Sequence, residues 1–86
     1  MSGLLTEAER EVREKSRGQI EEETAFKWAA RAVATYKLFR ATRLNQWLRD
    51  SEHYRDEAIE HAALADESGE VLIAVRGWMR HHMPLI

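Results

Sequence analysis

The sequence predicts an all-α protein of three to four helices, one long and central, forming a helical bundle completed by oligomerisation. Three observations carry this expectation. Only 4 Gly and 1 Pro occur in 86 residues, and Ala, Glu, Arg and Leu, all good helix formers, prevail. Apolar residues recur at helical spacing through most of the chain. The third is size: 86 residues make one domain, 1–86, which buries only a modest share of its surface. With no Cys, neither a disulfide nor a thiolate metal site can reinforce it. Helix packing, another ion or a partner chain must do so, and a homo-oligomer is the expected solution.

The elements follow in order, at roughly 6–17, 20–48, 51–65 and 69–82. Thr6 and Glu9 form a capping box at the first start. Leu5, Ala8 and Val12 give this helix a thin apolar stripe, and Glu9–Arg13, Arg10–Glu14 and Glu11–Lys15 are opposite charges one turn apart. Gly18 costs a helix about 1 kcal/mol relative to Ala, so a bend or break is expected at residues 17–19.

From Ile20 to about Leu48 no Gly or Pro intervenes. Glu21, Glu22 and Glu23 open this segment, with Lys37, Arg40, Arg43 and Arg49 towards its end, complementing the helix dipole. Phe26, Ala29, Ala30, Val33, Tyr36, Phe39, Leu44, Trp47 and Leu48 form its stripe. Trp28, Ala32, Ala34 and Leu38 lie off it, so the apolar arc is wider than a two-helix seam needs. Phe26, Trp28, Val33, Tyr36, Phe39 and Trp47 are therefore the candidate interface residues.

Asn45 and the run Arg49–Glu52 suggest a turn, with Asp50 or Ser51 capping the next helix. Its inner face is Tyr54, Ala58, Ala62 and Ala65, with Ile59 beside them. Asp66–Gly69 reads as a loop, and Ser68 as the last cap. Val71, Leu72, Val75, Trp78, Met79 and Met83 then follow helical spacing until Pro84. A strand over 71–75 is the competing reading, because that stretch is β-branched.

Charge alternates along the chain. Residues 25–50 carry 6 bases and 1 acid, whereas residues 51–70 carry 7 acids and 1 base. Two such helices are expected to fold back antiparallel, within a chain or between chains, and neutralise each other. The net charge of −2 argues against nucleic-acid binding by the whole chain. No apolar run reaches the roughly 18 residues of a membrane span. Met1–Leu5 lacks the start of a signal peptide, so a cytoplasmic location is expected.

Three constellations could carry chemistry. His53, Glu57 and His61 follow one another by four, on one helical face, and such a set can share zinc, iron or manganese. The competing reading is a solvated acidic face. Arg55–Ala63 resembles the second ligand helix of rubrerythrins and encapsulated ferritins, which are helical and bind two iron ions between helices. The resemblance covers about nine residues. It departs where those families place a Glu three residues before the His, since Ala58 stands there and Glu57 is one residue out of register. Lys27, Arg31, Lys37, Arg40 and Arg43, interleaved with aromatics, are a candidate anionic-surface binder over 26–47. Arg76, Arg80, His81 and His82 complement a helix C-terminus, with a lesser claim on metal or anions.

No nucleophile–base–orienter set, Gly-rich phosphate loop or Cys nucleophile is present, so enzymatic activity is not expected. The expected role is a structural or interaction protein packing against itself or a protein partner. The alternatives are a ferritin-like oligomer holding a divalent metal, and a peripheral binder of anionic surfaces.

Overall fold

The computed structural model describes the backbone of residues 3–84 and the side chains of residues 16–84. Three helices follow in order: α1 (Gly3–Thr42), α2 (Asn45–Ala65) and α3 (Glu70–His82). No strand occurs among the described residues, and Val71–Val75 is helical. The capping box at Thr6 and Glu9, the stripe at residues 5–12 and the charge pairs of residues 9–15 lie outside the described side chains.

The long helix is the first element, and its position corrects the expected boundaries. Gly18 does not break it. A Cβ there would stand 2.7 Å from the Ala65 carbonyl oxygen, so glycine lets the end of α2 approach the α1 backbone. The loss of helix propensity at Gly18, about 1 kcal/mol, is small for a helix of many turns.

The chain reverses instead at Arg43–Leu44. Arg43 takes the left-handed conformation (φ 60°), and its amide donates to the Phe39 carbonyl at 2.7 Å. Such a residue closes a helix by satisfying a terminal carbonyl. Leu44 N–H donates to the Thr42 hydroxyl at 3.3 Å, holding the extended residue that starts α2. Neither Asp50 nor Ser51 caps α2, because both lie inside it.

Residue pairs fix the direction of α2. Ser51 donates to the Ala32 carbonyl at 2.9 Å, His61 meets Glu21, and Ala65 meets Gly18. The two helices therefore run antiparallel. Their seam is Ala25, Ala29 and Ala32 against Ala58 and Ala62, all with no exposed surface, flanked by Val33 and Tyr36. The buried Tyr36 hydroxyl has no hydrogen-bond partner among the described residues.

After Ala65, Asp66 accepts from Gly69 N–H at 3.0 Å, and Gly69 takes the left-handed turn (φ 79°) that launches α3. Ser68 accepts from Glu70 N–H at 3.3 Å. Val75, Met79 and Met83 then complete the core, with Val71, Leu72 and Trp78 packed beside them.

A helix rises about 1.5 Å per residue, so the 40 residues of α1 span about 60 Å. The molecule measures 62 × 19 × 12 Å, so α1 alone sets its length. The end of α2 lies level with Gly18, and residues 3–17 run on for about 22 Å past that contact.

Candidate functional site

The candidate metal residues are parted by their packing. His53 and His61 stand two turns apart on α2, about 12 Å along its axis. The His53 ring faces Trp28 of α1 edge-on, with centroids 6.5 Å apart, and lies 5.7 Å from the Tyr54 ring. His61 sits lower, between two carboxylates. Its Nδ1 is 2.6 Å from a Glu21 oxygen across the helix contact, and its Nε2 is 3.8 Å from Glu57 one turn back. Glu21, Glu57 and His61 are each about a quarter to a third exposed.

Among the described residues, no group of three His, Cys, Asp or Glu side chains is placed to hold a metal ion. At His61 a Glu21 carboxylate of α1 meets a ring of α2 and ties the two helices together. Glu21 lies 40 residues away in sequence, and no spacing rule joins it to His61. Its neighbours Glu22 and Glu23 are both exposed.

Among the described residues, the basic side chains of the α1 region make no ion pair with the acidic helix of their own chain, contrary to the expectation of pairing within the chain. Among the described residues, the ion pairs are Arg55–Asp56, His61–Glu21 and His61–Glu57. Lys27, Arg31, Lys37, Arg40 and Arg43 are all exposed. The reason is the seam. Alanines bring the two backbones together on their inner faces, leaving the long cationic side chains outside the contact. Arg31 instead stacks over Trp28 (5.0 Å) and Arg43 lies over Phe39 (5.9 Å). These contacts bury stems and leave charge in water.

The candidate interface residues divide. Val33 and Tyr36 belong to the core of the single chain. Phe26, Trp28, Phe39 and Trp47 are half-buried. Phe26, with Gln19, Glu22, Glu23 and Lys27, lines an open hollow of about 660 Å³ beside α1. Ile20, Leu38, Leu44, Leu64 and Ile73 are large apolar residues left exposed, between 42% and 71%.

At the tail, His82 packs on Trp78 with centroids 4.7 Å apart, and His81 and His82 meet edge-on. Arg76 and Arg80 turn towards α2, where sequence spacing on α3 alone does not place them. No model of a known protein family matches the chain, and no match was found among curated proteins or solved structures.

Proposed function

We propose that the protein is a structural or interaction module that assembles with a second copy of itself through α1. The observation that carries this reading is the stretch of α1 running past the α2 contact. In proteins most helical stability comes from tertiary packing, and residues 3–17 run past the end of α2, so a second surface would stabilise them as helix. The hollow at Phe26 and exposed Ile20 continue that surface towards the core. A second α1 laid alongside would cover all three.

Sedimentation equilibrium tests this. The chain is expected to be a dimer or larger at micromolar concentration, and Phe26→Glu to shift it to monomer without loss of helix, since a charge would enter the covered contact. A compact, stable monomer at roughly 100 μM, a concentration that exceeds most specific dissociation constants, rejects the reading.

A second reading is favoured by one observation, the exposure of Lys27, Arg31, Lys37, Arg40 and Arg43. Unpaired with α2, these residues are available to an anionic surface. Binding of the chain to anionic vesicles would fall steeply with salt. Co-sedimentation at low and moderate salt measures it, and no binding at low salt rejects it.

A further inference from the structure

α2 and α3 enclose a cleft of about 310 Å³ between Arg55, Asp56, Ile59, Arg76, Met79, Arg80 and Met83. Its floor is apolar and fixed. Met79 and Met83 are buried, and the Met83 sulfur lies 3.5 Å from the buried Ser51 hydroxyl, which is itself bonded to the α1 backbone. Its rim is cationic. Arg55 carries one partner, Asp56, at 3.3 Å. Arg76 and Arg80 have no carboxylate within ion-pair distance among the described residues.

This placement has a cost in the free chain. Arg76 and Arg80 are like charges one turn apart, which disfavours the helix slightly, and Arg55 brings a third guanidinium to the same rim. Three cations against one carboxylate leave a formal charge of +2, in a chain whose net charge is −2.

We propose that this cleft binds a small phosphate monoester. The rim charge of +2 matches the charge of such a group near neutral pH, about −1.5 to −2. Guanidinium groups suit it because their paired N–H donors match the spacing of phosphate oxygens. Ile59, Met79 and Met83 take the organic group of the ester, and methionine adapts its shape to it. The volume sits at the lower end of small-molecule pockets, which span about 300–1,000 Å³, so the bound part is small. A free ester and the monoester headgroup of a lipid share this chemistry.

The test uses the full chain and defined probes. Calorimetric titration compares phenyl phosphate with inorganic phosphate and phenyl sulfate. Phenyl phosphate is expected to bind more tightly than either, since it alone offers both two charges and an apolar body. Arg76→Gln and Arg80→Gln are each expected to weaken it roughly tenfold, the loss of one charge-assisted contact. Both side chains are exposed, and circular dichroism checks that the fold is kept. Arg49→Gln removes one charge at an exposed position of α2 outside the cleft and is expected to leave the affinity unchanged.

A second arm uses vesicles containing phosphatidic acid or phosphatidylserine at matched surface potential. A preference for phosphatidic acid that Arg76→Gln abolishes supports the proposal with a lipid as the source. Phenyl phosphate binding without that preference supports it with a free ester as the source. The proposal is overturned if neither phenyl phosphate nor phosphatidic acid binds in preference to its comparison probe, or if Arg49→Gln lowers affinity as much as Arg76→Gln and Arg80→Gln do.

Discussion

The two inter-helix contacts of this chain are built on opposite plans. α1 meets α2 through alanine, with Ala25, Ala29 and Ala32 facing Ala58 and Ala62. Small side chains let the backbones approach until Gly18 stands against the Ala65 carbonyl. α3 reaches the same core with Val75, Met79 and Met83, and beside these larger side chains a cleft remains. The first contact brings the backbones close along its alanine seam, which is why the bases of α1 stay outside it. The second is loose enough to leave room beside Arg55, Arg76 and Arg80. Residue size at the seam thus decides where the molecule can host something else.

The tight seam is the more sensitive of the two contacts to a change of side-chain size. Ala58→Leu inserts three carbon atoms into a seam with no exposed surface, and overpacking of this kind costs about 3 kcal/mol. A large loss in the urea midpoint at unchanged slope is expected, while a shift like that of an exposed-site variant contradicts the tight seam. At the loose side, Met79→Ala deletes three heavy atoms, but beside an existing cleft, into which neighbours can relax. It is expected to cost about 2 kcal/mol, the lower end for such truncations, measured in the same way.

A smaller effect is expected at the turn, away from both contacts. Arg43 holds φ 60° without being glycine, which costs an L-residue about 1–2 kcal/mol. Arg43→Gly relieves this but loosens the unfolded chain, so a net gain of about 0.5–1 kcal/mol is expected in thermal unfolding. A loss of stability there would mean that the stacking of Arg43 on Phe39 outweighs the backbone strain.

Much of the fold was legible because helical spacing is local. The inner face of α2 at Ala58 and Ala62, the whole apolar set of α3 and the loop at Asp66–Gly69 all follow from residues a few positions apart. The α1–α2 boundary was not legible. Thr42–Asn45 holds neither Gly nor Pro, and a left-handed arginine is not a turn signal, whereas Gly18 is one by habit and here serves a close contact. Ala30 and Ala32 exchanged expected roles, exposed and buried respectively, because alanine marks a face only weakly.

The site was less legible than the fold, because its pairings cross between helices. His53, Glu57 and His61 do share a helical segment, but Trp28 and Glu21 of α1 decide what the two rings touch. Arg76 and Arg80 were visible as a basic tail, but their convergence with Arg55 needs the path of α3 along α2. Charge segregation was visible too. It suggested neutralisation between the two helices, and within the chain the alanine seam prevents that by keeping the bases of α1 outside the contact.

In the proposed assembly a second copy covers residues 3–17 of α1. Amide hydrogen exchange of these residues across a dilution series tests it directly. The account predicts protection at high concentration that disappears on dilution, while amides of the core at residues 25–36 stay protected throughout. Exchange in residues 3–17 that is independent of concentration, whether fast or slow, would contradict it.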